Sequence, residues 1–212
     1  MTVLITGANR GIGAGLLAHY RSKGEVCFGT ARKASDGLLP LDVTDPTACA
    51  ALGQHIDAPL DLLICNAGVY LDRDQDLTGY APQLWADSFA TNVTGVFLTL
   101  QALLPQLRAA KGKIAIISSQ MASDTRAPGG SYIYRASKAA ALNLGRNLAA
   151  DLRKEGIAVG IYHPGWVQTD MGGAGAEITV AQSASGLAAR FAALSLETTG
   201  CFETYDGRAH PY

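Results

Sequence analysis

Short, uninterrupted apolar runs alternate with helix-forming segments along almost the whole chain. The runs at residues 2–6, 60–65, 113–118 and 157–162 are continuously apolar, without a polar residue at every second position. Strands with that pattern lie inside a parallel sheet whose two faces are both covered by helices. We therefore predict an α/β fold, a doubly wound parallel sheet of the Rossmann-like type, built as a single domain from the 212 residues.

Turn residues and helix caps mark the remaining elements. Further strands are predicted at residues 25–31, 38–41 and 201–205. Helices are predicted at residues 12–23, from Pro46 onward with Thr44 as the cap, at 82–110 and at 133–154. The helix at 82–110 should break near Asn92 and Gly95, because both residue types are poor helix formers. In a sheet of this kind, ligands bind beyond the carboxyl ends of the strands.

The charge balance argues against several classes of partner. Lys and Arg number 17 against 18 Asp and Glu, so no broad field attracts nucleic acid or an anionic membrane. No apolar stretch approaches membrane-spanning length, and residues 1–6 lack a basic leader. We therefore expect a cytoplasmic protein without nucleic-acid or membrane partners. The four cysteines and four histidines are scattered without metal-ligand spacing, so we expect no metal site.

A glycine-rich turn joins the first strand to the first helix. Glycines allow a tight turn and a close approach of the backbone to a pyrophosphate, while the unpaired N–H groups at the helix start favour an anion. The alternative is a turn with only a packing role. We predict that the turn binds a dinucleotide through Gly7, Asn9, Arg10, Gly11, Ile12 and Gly13.

Two arginines indicate which dinucleotide binds. Many such sheets carry an acidic residue after the second strand for the adenosine ribose. Here Arg32 occupies that place, no acid follows before Asp36, and Arg10 lies on the same side. Guanidinium groups suit a 2′-phosphate, so NADP(H) is favoured over NAD(H). The alternative is that both arginines are solvated surface residues.

The long second-half helix begins with a tyrosine and a lysine one turn apart. Tyr134 and Lys138 share a helix face. A phenol has a pKa of about 10, and a neighbouring cation should lower that pKa until the phenol is a usable acid or base. Ser119, at the end of a strand, could bond a substrate oxygen or merely begin a turn. Asn92 could hold a relay water or simply face solvent.

Together these motifs resemble the short-chain dehydrogenase/reductases, in order and over nearly the whole chain. The resemblance implies that Asn92, Ser119, Tyr134 and Lys138 form a catalytic tetrad, with Tyr134 and Lys138 also at the cofactor. The segment at 163–169 resembles the family's Pro-Gly segment beside the nicotinamide. Further cofactor contacts are implied for Asp42, Val43, Asn66, Ala67, Gly68, Pro164, Gly165, Val167 and Thr169.

Residues 134–138, 163–166 and 205–207 are most similar to the C-factor and sniffer-type carbonyl reductases. That similarity implies NADPH as the cofactor and a small carbonyl compound, reversibly reduced to an alcohol, as the substrate. Two alternatives stay open. One is a non-catalytic NADP(H)-binding sensor or signalling module, and the other is a dehydratase or epimerase on the same scaffold.

The chain departs from the family pattern in two places. Too few residues separate Arg32 from the third strand for the usual helix, so a loop and a more exposed adenosine half are expected. Residues 170–177 are short and contain three glycines, which predicts a mobile lid over an open pocket. Tyr70, Met121 and Trp166 are expected to line that pocket.

The family also implies an assembly. Its two long helices, here at 82–110 and 133–154, often pair between subunits. We therefore expect a homodimer, although the same apolar residues could equally pack against the sheet.

Overall fold

The computed structural model of the protein describes residues 1–33 and 37–212, and a seven-stranded sheet lies at its centre. Its order is β3-β2-β1-β4-β5-β6-β7, and all neighbouring strands are parallel. The predicted doubly wound α/β fold is confirmed. The strands are β1 (Thr2–Ile5), β2 (Val26–Ala31), β3 (Leu39–Pro40), β4 (Leu62–Cys65), β5 (Lys113–Ile117), β6 (Ala158–His163) and β7 (Phe202–Thr204).

Helices cover both faces of this sheet. A π-helical turn (Ala90–Thr94) joins α3 to α4, and short 3₁₀ turns occupy Gln120–Ala122 and Arg153–Glu155. The helices are α1 (Gly11–Ser22), α2 (Pro46–His55), α3 (Pro82–Phe89), α4 (Gly95–Ala110), α5 (Tyr132–Leu152) and α6 (Val180–Ala193).

Successive strand residues point to opposite faces of the sheet and are buried on both. Leu4 and Leu63 lie in the core on one face, whereas Ile5 and Ile64 lie in the core on the other, and all four are 0% exposed. Because each central strand has no solvated side, every position along it must be apolar. This double burial explains the continuous apolar runs in the sequence.

Two details of the helices differ from the sequence-based predictions. Asp45, not Thr44, caps α2, since the Asp45 carboxylate accepts a hydrogen bond from the Thr47 N–H at 2.8 Å. The Thr44 hydroxyl instead donates to Asp42. The helix α6 was not predicted, although its capping box of Thr179 and Gln182 is a recognisable start signal.

The sheet reverses its winding between β1 and β4, and the crevice opens there, beyond the carboxyl ends of the strands. The loop predicted to replace a helix after Arg32 falls on residues 34–36, which lie outside the described residues. Within the described parts of the chain, no helix combines the length and hydrophobicity needed to span a membrane.

Candidate active site

The glycine turn between β1 and α1 leaves no room for side chains. Gly7 and Gly11 have φ angles of +65° and +53°, in the left-handed region that favours glycine. A Cβ atom on Gly13 would lie 2.2 Å from the Gly7 carbonyl oxygen. Arg10, at the N-cap of α1, provides no side-chain cap, so the opening N–H groups of the helix lack a side-chain partner. These groups form a cradle that fits a pyrophosphate.

The motif after β4 fixes the shape of that turn. The Asn66 side-chain amide donates to the carbonyl oxygens of Thr6 and Gly7 at 2.9 and 3.1 Å. The N–H groups of Asn66 and Ala67 both donate to the Thr6 hydroxyl at 3.0 Å. The Asn66 side chain therefore holds the cradle in place, and its amide N–H groups point at the turn itself.

The adenosine side of the crevice is polar and largely exposed. Arg10 forms an ion pair with Asp170 at 2.8 Å, and the two side chains are 68% and 78% exposed. Asp42 accepts hydrogen bonds from the N–H and hydroxyl groups of Thr44. These bonds, and to a smaller extent the nearby charge of Arg32, hold the pKa of Asp42 below its usual value. Val43 is buried and packs against Gly95 at the start of α4.

The chemical end of the crevice brings Ser119, Tyr134 and Lys138 together. Ser119 follows β5, and Tyr134 and Lys138 share one face of α5. All three are buried, with 8%, 8% and 5% of their surface exposed. The Lys138 ammonium lies 5.8 Å from the centre of the Tyr134 ring and donates to the Ile117 carbonyl oxygen at 2.9 Å.

The pKa of Tyr134 moves opposite to the sequence-based expectation. Burial, the largest cause, raises that pKa to about 12, although a hydrogen bond with Ser119 and the charge of Arg73 lower it. Burial likewise lowers the pKa of Lys138 to about 8, which weakens its hold on a positive charge. Burial therefore outweighs the groups that lower the pKa of Tyr134 in this structure, which are Ser119 and Arg73 and do not include Lys138.

Asn92 lies in the π-helical turn and is 1% exposed, so the alternative of a solvent-facing side chain is wrong. Its Oδ1 accepts from the Val69 N–H, and its Nδ2 donates to the Val69 carbonyl and to the Ser137 hydroxyl, each at 2.9 Å. A Cβ atom on Gly68 would meet both Asn92 and the Lys138 ammonium, at 3.2 and 3.3 Å. Asn92 thus joins the loop after β4 to α5 beside the lysine.

Asp72 is a site residue that the sequence did not reveal. Its side chain is 0% exposed and accepts from the N–H groups of Ile133 and Tyr134 at 2.8 and 3.2 Å. The N-cap residue Ser131 makes no such bond, so Asp72 takes over the capping of α5 from 60 residues away. An acid in a polar loop gave no local signal of that role.

Tyr70 packs directly on the predicted catalytic tyrosine. The two rings are stacked with centroids 4.2 Å apart and planes 19° apart. The Tyr70 hydroxyl is hydrogen-bonded to Ser131 at the start of α5. This stack fixes the orientation of the Tyr134 ring and shields one of its faces from water.

The segment after β6 closes the other side of the crevice. Gly165 has a φ of +87°, and the Pro164 carbonyl accepts from Ser183 of α6 at 2.7 Å. Val167 is buried and bridges to Ile178. Thr169 lies against the glycine turn, since a Cβ atom on Gly11 would meet its methyl group at 3.2 Å.

Residues 170–177 are held more firmly than three glycines predict. The Gly172 and Gly173 N–H groups donate to Thr169, and the Trp166 indole N–H donates to the Gly172 carbonyl at 2.8 Å. Asp170 pairs with Arg10, and the Met171 carbonyl accepts from Arg73. Both halves of the crevice therefore contact this lid segment, which we define as residues 170–177.

Known proteins resemble this chain over its whole length. Residues 1–177, which include every predicted site residue, match a family model described as short chain dehydrogenase. The C-signal protein of Myxococcus xanthus is 39% identical over 157 residues, covering 73% of this chain and 93% of that protein.

Solved structures add similarity in three dimensions. The NADPH-bound carbonyl reductase from chicken fatty liver is 30% identical, with a TM-score of 0.89 over 100% of this chain and 98% of that one. The carbonyl reductase Sniffer of D. melanogaster is 28% identical, with a TM-score of 0.94 over 100% of this chain and 99% of that one.

Proposed function

Because this chain belongs to the short-chain dehydrogenase/reductase family, we propose that it reduces a small aldehyde or ketone to an alcohol with Tyr134 as the proton donor. The chain is an NADP(H)-dependent oxidoreductase. The observation that carries the proposal is the buried cluster of Ser119, Tyr134 and Lys138 beside the glycine cradle.

The cofactor fits the residues that surround the crevice. The N–H groups at the start of α1 would hold the pyrophosphate, and Arg10 and Arg32 would bind the 2′-phosphate. Lys138 and the segment from Pro164 to Thr169 would hold the nicotinamide end. When bound, NADPH supplies a hydride to the carbonyl carbon.

Tyr134 is suited to give a proton to the carbonyl oxygen. Burial raises the pKa of Tyr134 to about 12, so the phenol keeps its proton at neutral pH and is in the acid form that reduction requires. Ser119 and Arg73 act against burial, which makes the phenol a stronger acid than burial alone would leave it. Ser119, whose hydrogen bond lowers the pKa of this phenol, would orient the same oxygen and stabilise its developing charge. Tyr70 and the burial of Tyr134 limit the access of water.

Removing the phenol oxygen tests the proposal. Tyr134→Phe should lower kcat with a carbonyl panel by about 1,000-fold, as expected for the loss of a general acid, while NADPH binding stays within a few-fold. NADPH oxidation gives the rate, and fluorescence titration gives the affinity.

Tyr132→Phe is the matched control, since Tyr132 starts the same helix, is 42% exposed and lies two residues away. Full activity of Tyr134→Phe would refute the proposed acid. A dehydratase or epimerase would turn over substrate without net NADPH oxidation, so the same assay separates those alternatives.

The homodimer remains a proposal. Phe97 of α4 is 40% exposed, which supports pairing of the long helices between subunits. Light scattering of the protein and of Phe97→Asp tests it, since a dimer built on this face should dissociate in the variant.

A further inference from the structure

Arg73 extends the aromatic stack at the catalytic tyrosine by one cationic layer. Its guanidinium carbon lies 5.1 Å from the centre of the Tyr70 ring, and the Tyr70 ring stacks on Tyr134. The charge reaches the phenol, because Arg73 lowers the pKa of Tyr134 against the larger effect of burial. A positive charge therefore lies close to the catalytic tyrosine. The reduction of an uncharged carbonyl compound does not require a cation at this position.

The charge of Arg73 has no acidic partner within the described ranges. None of the ion pairs in residues 1–33 and 37–212 includes Arg73. Two acids nearby are committed elsewhere. Asp72 accepts the N–H groups at the start of α5, and Asp170 pairs with Arg10.

Arg73 keeps most of its hydrogen-bonding capacity. A guanidinium has five N–H donors, and the Met171 carbonyl of the lid segment takes one of them. The side chain is exposed, so the remaining donors are open to solvent and not buried in the core. An unpaired guanidinium with free parallel donors is the arrangement that recognises a carboxylate.

Resting on the proposed carbonyl reduction, we propose that Arg73 binds an anionic group of the substrate, and that the preferred substrates are carbonyl compounds carrying a carboxylate. The lid segment would complete this subsite, because the Met171 carbonyl binds the guanidinium next to the Tyr70 ring. The competing explanation is that Arg73 only fastens the lid segment.

A matched substrate pair separates these explanations. The probes are 4-formylbenzoate, an anion, and its neutral methyl ester, which carry the same aldehyde. We expect the wild-type enzyme to favour the anion by at least tenfold in kcat/KM, and Arg73→Met to reduce that ratio by at least tenfold. Arg73→Lys should retain part of the preference, since it keeps the charge without the planar donors.

Arg153→Met is the control, because Arg153 is an exposed arginine beyond the far end of α5. It should leave the ratio unchanged. If Arg73→Met slows both substrates equally, Arg73 is only a lid fastener and the proposal is overturned. A wild-type enzyme that reduces both aldehydes without preference also overturns it, while the proposed carbonyl reduction stands.

A binding measurement covers the case in which neither aldehyde is reduced. Calorimetry of 4-(hydroxymethyl)benzoate with the NADP⁺-loaded protein does not depend on turnover. Binding that weakens at least tenfold in Arg73→Met would support the anion subsite even if carbonyl reduction proved wrong. The absence of binding together with the absence of turnover would overturn both.

Discussion

The two halves of the crevice are held together in different ways. On the cofactor side, the glycine turn is shaped by main-chain geometry and by partly buried hydrogen bonds that the Asn66 amide donates and the Thr6 hydroxyl accepts. On the substrate side, the contacts of Tyr70, Asp72 and Arg73 come from side chains of one loop that reach α5 and the lid segment. The shape of the cofactor side depends on glycines that have no Cβ atom, whereas the shape of the substrate side depends on contacts made by side chains.

This difference determines how each half should respond to mutation. A glycine that excludes a Cβ atom tolerates no replacement, whereas an exposed side chain such as Arg73 can be exchanged at small cost in stability. The variants below are ordered from the largest expected effect to the smallest.

Gly13→Ala should have the largest effect, because it adds a Cβ atom inside the glycine turn of the cofactor side. The new methyl group would lie 2.2 Å from the Gly7 carbonyl oxygen, which is backbone and cannot move aside cheaply. We expect NADPH affinity to fall by about 100-fold or more, measured by fluorescence titration. Gly175→Ala, in the lid segment, has only one atom 4.0 Å from its added Cβ and should bind NADPH normally. If both variants lowered NADPH affinity equally, the two sides of the crevice would not differ in their tolerance of an added Cβ atom.

Asp72→Asn shows whether the substrate side has a rigid component of its own. The amide would place an NH₂ group or a weaker acceptor against the N–H groups of Ile133 and Tyr134. Unfolding free energy should fall by about 2 kcal/mol, and kcat should fall as Tyr134 shifts. Denaturant titration and NADPH oxidation measure the two effects. Asp74→Asn, two residues along and exposed, is the control, and a loss as large there would contradict the capping role.

Lys138→Met should change stability and activity in opposite directions. Burial lowers the pKa of Lys138 from 10.5 to about 8, so at pH 7 the folded chain bears the full cost of a buried charge. The variant should lose activity yet gain stability, by on the order of 1–2 kcal/mol at pH 7.

The pH dependence gives the sign of that effect. Between pH 8 and 10.5 the unfolded chain keeps the Lys138 proton while the folded chain releases it. Wild-type stability from this residue therefore rises with pH, and the gap to Lys138→Met should narrow. Urea titrations of both proteins at pH 7 and pH 9.5 measure it. A gap that widens with pH would show that burial does not penalise this charge.

Asp170→Asn is expected to have the smallest effect. The ion pair of Asp170 with Arg10 is largely exposed and is worth about 0.2–1 kcal/mol. Releasing Arg10 should tighten NADPH binding about two- to threefold and leave NADH unchanged, if Arg10 binds the 2′-phosphate. Titrations with both cofactors test this. Equal tightening of NADPH and NADH would contradict the assignment of Arg10 to the 2′-phosphate.

The sequence predicted the glycine turn and the shared helix face of Tyr134 and Lys138, because the determinants of both are local. Gly7, Gly11 and Gly13 follow a strand directly, and Tyr134 and Lys138 are one helical turn apart. Fixed spacing in the chain becomes fixed geometry in such motifs. The sheet was equally predictable, because burial on both faces leaves an unbroken apolar signal.

The substrate half could not be predicted, because its contacts join distant residues. Nothing near Asp72 indicates that it caps α5, and nothing near Arg73 indicates that it reaches Met171. The π-helical turn at Asn92 adds one residue to a helical repeat, which turns the following face by about 100°. A helical wheel drawn through residues 82–110 with a constant 100° step therefore assigns the residues on one side of Asn92 to the wrong face. The direction of the pKa shift of Tyr134 could not be predicted for a related reason, because burial, its largest cause, is a property of the whole fold.

The indole of Trp166 makes the molecule its own optical probe. Its N–H bonds to the Gly172 carbonyl, and 48% of the residue is open to solvent. The second tryptophan, Trp85, lies on α3 and is 37% exposed, so Trp85→Phe leaves Trp166 as the one tryptophan in the chain. Fluorescence from Trp166 then reports the polarity around the lid segment in real time, and energy transfer to a bound dihydronicotinamide turns cofactor occupancy into a colour change.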